Sequence, residues 1–226
     1  MDAVHRGGPV FYASLARDAE TCKKLLISTL WDHLMAVESP LRQHSQSSSG
    51  AALPIRVVRG QLGRPHLLVG ECRGPAISFS EGGGKVWAAL SGDESDIGID
   101  VAGSDEFRGD YPFQRVFHPH EMEHAVNLTG GNPAEAAALL WSVKEAVVKA
   151  LGCAFHLVEP RHVNVYPSAG GTAGEGEGYT FPVGLTGKAQ ERFPLAASQS
   201  LWVHSLPRGT MWLSIALLNR RTTDHE

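Results

Sequence analysis

The sequence predicts an α+β fold, arranged as one large domain or two small ones. The chain has 226 residues, of which 42% are hydrophobic, so it can form a substantial core. Segments with strand periodicity and segments with helical periodicity both occur, but they do not alternate strictly as β-α-β units. A mixture without that alternation favours α+β over a doubly wound parallel sheet.

In the first half of the chain, one helix is predicted to precede a series of short strands. Leucines recur at helical spacing over residues 18–35, and the serine-rich stretch 45–50 predicts a polar loop. Short apolar runs predict strands at residues 55–58, 67–69, 76–80, 85–90 and 97–101, the last of which follows a turn at residues 93–96. The glycines at 82–84 predict a hairpin between two of these strands.

The second half is predicted to contain a short helix, a long helix and three strands. The long helix covers residues 134–151, with Asn132 as its N-cap, Pro133 at its first position and Gly152 just after its end. The other elements are a short helix at 119–128, strands at 162–166, 201–205 and 211–217, a glycine-rich loop at 168–178 and a hairpin turn at 207–209.

The long helix has two distinct faces. One face is apolar and is predicted to be buried: Leu140, Val143, Val147 and Leu151. The other carries Trp141, Glu145 and Lys149 at successive i,i+4 steps, with Lys144 beside them. On spacing alone, Glu145 and Lys149 could form an ordinary solvated ion pair, worth about 0.3–0.5 kcal/mol.

Composition limits the class of protein. The net charge of −4 argues against a general nucleic-acid binder. The three cysteines are scattered and odd in number, which indicates free thiols in a reducing compartment. No run approaches the roughly 20 apolar residues of a membrane helix, and residues 7–18 interrupt any signal-peptide core. We therefore expect a cytoplasmic protein with neither a membrane nor a nucleic acid as partner.

Charge is distributed unevenly along the chain. The charged residues within 51–85 are mostly basic, and those within 93–110 are mostly acidic. A basic segment beside an acidic one favours a polyphosphate bound together with a divalent cation. Ordinary variation of surface residues could produce the same pattern.

Three motifs carry the functional information: Gly98-Ile99-Asp100 at the end of an apolar strand, the segment from Phe117 to Glu121, and the helix segment from Trp141 to Lys149. Together they resemble the G-(I/V)-D, F-x-x-x-E and W-x-x-K-E-A-x-x-K motifs of the 4′-phosphopantetheinyl transferase superfamily. Residues 63–65 and 77–80 resemble two further motifs of that family. The order, the spacing and the chain length are similar to those of its larger, monomeric, Sfp-like branch.

This resemblance implies two similar α/β subdomains related by pseudo-twofold symmetry. The N-terminal subdomain would comprise residues 1–102 and the C-terminal subdomain residues 103–226. Coenzyme A would bind in the cleft between them, and the protein would be a monomer.

The resemblance also implies an activity. The 4′-phosphopantetheine group of coenzyme A would be transferred to a serine of an apo acyl or peptidyl carrier protein, releasing adenosine 3′,5′-bisphosphate. Asp100 and Glu145 would hold Mg²⁺, with Mn²⁺ as a possible substitute, and Glu145 would take the serine proton directly or through water. The motifs do not select a particular carrier protein or pathway.

Four residues would contact coenzyme A according to the same resemblance. Lys144 and Lys149 would neutralise phosphate charge, and Lys149 is expected to act in catalysis as well. Arg64 would approach the phosphates of the nucleotide, and Ser78 would also contact coenzyme A.

Two positions depart from the family pattern. Ala102 replaces the second acid that usually follows the G-I-D motif, and Phe79 replaces a histidine that usually contacts the 3′-phosphate. Phenylalanine cannot donate a hydrogen bond. The alternative function is therefore a degenerate family member that binds coenzyme A or a carrier protein without turnover.

A second, remote alternative is a zinc hydrolase. His120-Glu121-x-x-His124 is a literal H-E-x-x-H, which on a helix can place two imidazoles around zinc. That site also needs a third ligand, and the extended zincin motif does not follow in the sequence.

The segment from Tyr111 to Phe117 is the predicted docking site for the carrier protein. Phe113 and Phe117 supply apolar surface and Arg115 supplies positive charge, which suits the acidic helix of a carrier domain. Both phenylalanines could instead pack in the core.

Overall fold

A computed structural model describes residues 10–16, 22–42, 54–60, 63–92, 95–168 and 178–219, with side chains of the first helix described up to residue 37. Within these ranges the chain forms two five-stranded antiparallel sheets, each covered by a long helix. The predicted α+β class is confirmed. The loop predicted at 45–50, and most of the loop predicted at 168–178, lie outside the described residues.

The first sheet contains the strands of the first half of the chain. In chain order, its elements are β1 (Val10–Ala16), α1 (Cys22–Arg42), β2 (Ile55–Arg59), β3 (Pro65–Val69), β4 (Cys72–Gly82) and β5 (Lys85–Ser91). The strands lie in the order β1-β5-β4-β3-β2. The predicted hairpin is confirmed, because β4 pairs with β5 across a turn in which Gly83 and Gly84 have positive φ.

The second sheet contains the remaining strands. Its elements are β6 (Asp96–Gly103), α2 (Phe113–Val116), α3 (Pro119–Leu128), α4 (Pro133–Ala150), β7 (Val163–Val165), β8 (Tyr179–Leu185), α5 (Gly187–Arg192), α6 (Pro194–Ala197), β9 (Leu201–Arg208) and β10 (Met211–Leu218). The strands lie in the order β6-β10-β9-β8-β7. The predictions included neither β1 nor β8.

The two sheets share one topology. In each, the first strand precedes the long helix and lies beside the fifth, and the order then runs back to the second. Such a match is what an internal repeat requires; the pseudo-twofold relation itself remains a prediction. The boundary expected after residue 102 falls inside β6, which hydrogen-bonds to β10 of the second sheet. By strand pairing, the change of sheet comes between Ser91 and Asp96.

The layers stack as helix, sheet, sheet, helix. One apolar cluster lies between α1 and the first sheet and includes Leu30 and Ile77. A second fills the space between the sheets and includes Trp87, Ile99 and Leu213. The largest lies between the second sheet and the helices α3 and α4. The strands β5 and β6 are therefore buried on both faces, which explains their long apolar runs.

Side chains of the first sheet hydrogen-bond to the edge of the second. β6 is an edge strand, and its outward N–H groups at Ile99 and Val101 donate to Ser78 Oγ at 3.1 Å and Ser80 Oγ at 3.3 Å. These two serines of β4 satisfy buried backbone donors that would otherwise lack a partner. The contact fixes the register of the first half of the chain against the strand that carries Asp100.

Candidate active site

The helix α4 has the boundaries that its sequence predicts. Asn132 is the N-cap, and its Oδ1 accepts hydrogen bonds from the N–H groups of Ala134 at 3.1 Å and Glu135 at 3.3 Å. Gly152 follows the helix with a φ of +74°, a conformation that favours glycine. These caps fix where the helix starts and stops, and so fix which of its turns faces β6.

Gly98 brings α4 into close contact with β6. A Cβ atom at this position would lie 1.9 Å from the carbonyl oxygen of Ala146 and 2.6 Å from the nitrogen of Ala150. Only glycine permits that approach of helix to strand. In a strand, every second side chain lies on the same face, so Asp100 also faces the helix, near Glu145 and Lys149.

Asp100 is held in place by two hydrogen bonds to one oxygen. Its Oδ1 accepts from Ser80 Oγ at 2.8 Å and from Lys149 Nζ at 2.7 Å, and Lys149 also donates to the carbonyl of Ile99 at 3.2 Å. The Asp100 side chain is 8% exposed and that of Lys149 is 27% exposed. Oδ2 accepts no hydrogen bond from the described residues, so this oxygen could bind a ligand.

Glu145 lies beside this pair without a hydrogen bond or ion pair of its own among the described residues. Burial raises the pKa of the Glu145 carboxyl, the negative charge of Asp100 raises it further, and Lys149 opposes the shift. Two carboxylates close enough to repel each other, with only one lysine against them, favour binding of a divalent cation. Oxygen donors of this kind suit Mg²⁺, which takes one or two carboxylates and completes its shell with water and phosphate oxygens. The residues therefore fit the metal that the resemblance implies.

A cavity of about 770 Å³ opens beside these residues, between α1, the strands β2 to β4 and the C-terminal end of α4. Its lining combines basic and apolar side chains. The basic side chains are Lys23, Lys24, Arg56, Arg59, Arg64 and Lys149. The apolar ones include Ile27, Ile55, Val57, Ile77 and Phe79. A lining with both kinds of side chain suits a ligand that carries both phosphates and a planar ring.

Arg64 and Ser78, both predicted to contact coenzyme A, line this cavity. The guanidinium of Arg64 forms an ion pair with Asp96, with Nη2 2.6 Å from Oδ1. The oxygen of Ser78 already accepts from Ile99 N–H, so the hydroxyl keeps its proton to donate to a ligand. Both residues remain candidates for ligand contact.

Lys144 lies apart from the cavity, and its predicted contact with phosphate is corrected. Its side chain is fully buried in an ion pair with Glu121, whose Oε2 lies 2.9 Å from Nζ. The ammonium also donates to the carbonyls of Val163 at 2.8 Å and Pro160 at 3.0 Å. Burial lowers the pKa of Lys144, and the negative charge of Glu121 acts in the opposite direction. Every donor of this lysine is engaged inside the protein, so no proton remains for a ligand.

The same ion pair argues against the zinc site. Glu121 accepts from the N–H of Val165 at 2.7 Å and from that of His118 at 2.8 Å, in addition to its contact with Lys144. A carboxylate held in this way is not available as the base of a zinc hydrolase. Among the described residues, no three histidine, cysteine or acidic side chains come close enough together to hold a metal ion.

The segment predicted to dock a carrier protein is only partly exposed. Phe117 is 1% exposed and packs in the core of the second half, so it cannot contact a partner. Arg115 is exposed, and Phe113 is half-buried against Tyr111, with ring centroids 5.3 Å apart. Any docking surface here therefore consists of Phe113 and Arg115.

The two off-pattern residues occupy different surroundings. Ala102 lies on the same face of β6 as Asp100 but is 1% exposed and belongs to the large apolar cluster. The described site thus has two carboxylates, Asp100 on β6 and Glu145 on α4. Phe79 lines the cavity, where it adds to the apolar part of the lining.

Sequence reasoning missed two residues that shape the site. Ser80, which binds Asp100, stood within a recognised motif, but its role could only follow from the packing of β4 against β6. Asp96 lies at the start of β6, an even number of residues before Asp100, and that spacing was the available signal.

Residues 96–192 match the family model described as the 4′-phosphopantetheinyl transferase superfamily. This segment is thus similar to the domains of that superfamily. It contains Asp100, Glu145 and Lys149, and it begins at the first residue of β6. No helix among the described residues is long and apolar enough to span a membrane.

Curated relatives match part of the chain. Holo-[acyl-carrier-protein] synthases from two strains of Nitratidesulfovibrio vulgaris, DP4 and Hildenborough, are each 38% identical over 76 residues, which is 30% of this chain. The chain spans 59% of the length of these relatives. The sequence similarity is thus to enzymes of the holo-[acyl-carrier-protein] synthase type.

Solved structures of that type also resemble part of the chain. A Chronobacterium ammoniagenes ACPS–CoA complex has a TM-score of 0.43 and 22% identity, covering 57% of this chain and 99% of its own. The holo-[acyl-carrier-protein] synthase of Neisseria meningitidis has a TM-score of 0.40 and 16% identity, covering 55% of this chain and 98% of its own.

Proposed function

We propose that this protein transfers the 4′-phosphopantetheine group of coenzyme A to a serine of an apo acyl or peptidyl carrier protein. The observation that carries the proposal is the cluster of Asp100, Glu145 and Lys149 beside a cavity lined by several basic side chains. The match of residues 96–192 to the transferase superfamily supports it.

Coenzyme A would occupy the cavity. Its phosphates would contact basic lining residues such as Arg64 and Lys149, and its adenine would pack on apolar ones such as Phe79. The volume of about 770 Å³ is in the range of pockets that enclose small ligands. Ser78 would donate its hydroxyl proton to a phosphate oxygen.

Mg²⁺ would be held by Asp100 and Glu145, and when bound it would neutralise charge on the pyrophosphate of coenzyme A. Lys149 would hold Asp100 in its present orientation and add positive charge at the same place. This pre-organised charge matters because phosphoryl transfer depends mainly on positioning and on neutralising phosphate oxygens.

Glu145 would take the proton from the carrier serine. As that proton leaves, the serine oxygen forms a bond to the β-phosphorus of coenzyme A, and the bond to adenosine 3′,5′-bisphosphate breaks. Burial gives the Glu145 carboxylate a raised pKa, which makes it a stronger base than a solvent-exposed glutamate. The two oxygens of Glu145 could divide the roles of metal ligand and base.

The larger, Sfp-like form of the family is the form we infer. Its support is the matching order of strands in the two sheets, each with its own long helix. In that form one chain supplies both sides of the cleft, so the protein would act as a monomer. The first sheet would supply Arg64 and Ser78, and the second would supply Asp100.

The degenerate alternative also has a specific observation behind it. Ala102 contributes no carboxylate, and Phe79 offers the cavity no hydrogen bond. A protein with these substitutions could bind coenzyme A and yet fail to transfer its group.

The deciding experiment is the intact mass of apo carrier proteins incubated with this protein, coenzyme A and Mg²⁺. We expect the mass gain of one phosphopantetheine with the native protein and none with Glu145→Ala. Glu123→Ala is the matched control, because Glu123 is an exposed acid on α3 and should leave transfer unchanged. No gain with several carriers, despite binding of coenzyme A in calorimetry, would favour the degenerate alternative.

A further inference from the structure

Two acids on β6 each hold a cation that lines the cavity. Asp100 binds Lys149 at 2.7 Å, and Asp96 binds Arg64 at 2.6 Å. The two acids are four residues apart, so both lie on the face of β6 that carries Gly98. The strand thus fixes one cation from each half of the chain.

Contacts on two sides set the place of Arg64. Its side chain is 17% exposed and that of Asp96 is 16% exposed, so the pair is largely shielded from water. On another side, a Cβ atom at Gly152 would lie 2.9 Å from both Cδ and Nη1 of Arg64. The guanidinium therefore packs against the end of α4, at a residue whose φ of +74° already favours glycine.

This arrangement leaves the guanidinium able to bind an anion. The ion pair engages Nη2, and a guanidinium carries five N–H donors, so a phosphate can bind while the pair persists. An arginine side chain that is already ordered loses less conformational entropy when its ligand arrives. An unordered arginine would have to be immobilised at the moment of binding.

We propose that Asp96 is a positioning residue, which orders Arg64 for the phosphates of coenzyme A. The proposal rests on the function proposed above, because it takes coenzyme A as the ligand of the cavity. The first residue of β6 would thus have a role in substrate affinity. Asp96 acts through Arg64 and need not touch the substrate.

The test is a double-mutant cycle on the dissociation constant of coenzyme A, measured by calorimetry with the full chain. Asp96→Asn keeps the shape of the side chain but removes its charge, and we expect the dissociation constant to rise about tenfold. In the Arg64→Met background, the same substitution should add less than about a twofold change. Equal effects in both backgrounds would overturn the proposal.

Two further variants separate positioning from other roles. Asp96→Glu keeps the charge but displaces it by one methylene, so it should restore affinity only in part; full recovery would show that charge alone matters. Tighter binding by Asp96→Asn would show that Asp96 competes with the ligand, and it would overturn the proposal. Asp105→Asn, which removes an exposed acid beyond the end of β6, is the control and should bind normally.

Kinetic measurements distinguish a positioning role of Asp96 from a merely structural one. With carrier protein and Mg²⁺ present, Asp96→Asn should raise the KM for coenzyme A about tenfold and change kcat less than about twofold. A fall in kcat at unchanged KM would contradict positioning. If the native protein fails to bind coenzyme A, the proposed function falls; if it binds and Asp96→Asn binds equally well, only the role of Asp96 falls.

Discussion

Two lysines of one helix, five residues apart, have opposite surroundings. Lys144 is fully buried and pairs with a fully buried Glu121, whereas Lys149 is 27% exposed and pairs with Asp100 beside the cavity. The first pair joins α4 to α3 and to β7, whose last residue, Val165, also donates its N–H to Glu121. The second pair joins the same helix to β6. One pair therefore supports the fold, and the other remains accessible to a ligand.

Breaking the buried pair should have the largest effect. In Lys144→Met, Glu121 would keep a buried charge without its partner, and we expect a loss of about 3–5 kcal/mol in the free energy of unfolding. Urea denaturation followed by circular dichroism measures this loss. Adding Glu121→Gln to the same chain should recover part of it, because the buried negative charge is then removed as well. A loss below about 1 kcal/mol would contradict the structural role.

Breaking the open pair should affect chemistry far more than stability. In Lys149→Met, the free energy of unfolding should fall by less than in Lys144→Met, since Lys149 is 27% exposed and Asp100 keeps its hydrogen bond from Ser80. The transfer rate should fall about 10²–10³-fold, as is typical when one pre-organised donor is removed from an active site. Carrier mass at timed intervals gives the rate. Comparable unfolding losses in the two lysine variants would remove the contrast between the pairs.

A charge reversal away from the cavity tests carrier docking separately from coenzyme A binding. Arg115→Glu should raise the KM for the carrier protein about tenfold, because the carrier helix is expected to be acidic. The dissociation constant of coenzyme A should be unchanged, since Arg115 does not line the cavity. Gln114→Glu, at the neighbouring exposed position, tests whether any added negative charge has the same effect. An unchanged carrier KM would place docking elsewhere.

The smallest effect concerns the thiol of Cys153, which lines the cavity. Burial raises the pKa of the Cys153 thiol to about 11, although this residue lines the cavity, whereas Cys72 is exposed. At pH 8, iodoacetamide should modify Cys72 well before Cys153, because only the thiolate reacts. Raising the pH toward 11 should accelerate modification of Cys153. Peptide mass mapping measures both rates, and equal rates at pH 8 would contradict the raised pKa.

Local signals predicted the elements near the site well. The start of α4 was predictable because Asn132 and Pro133 act within the same turn of helix. β8 was missed because Pro182 and Gly184 interrupt it, although its buried residues Tyr179, Phe181, Val183 and Leu185 alternate as a strand requires. β1 was also missed. Its residues pair along the whole length of β5, which lies about 75 residues further along the chain.

The site was predictable in part. Asp100, Glu145 and Lys149 were named from motifs, and they lie together in the structure. Lys144 was assigned to the wrong surroundings because it adjoins Glu145 in the sequence. Helical spacing carried the better signal, since Lys144 lies four residues after Leu140 and three before Val147, on the buried stripe. Helical spacing could not identify the partner of Lys144, because Glu121 comes from another helix.

The serine contacts between the sheets bear on whether a strand of another chain can add to β6. An edge strand with unpaired N–H groups can recruit a strand from another molecule, and this is a common route to aggregation. On β6 the outward N–H groups of Ile99 and Val101 are already taken by Ser78 and Ser80. The strand that presents Asp100 is therefore closed to strand addition, so crowding with other chains should not distort the place where the reaction would occur.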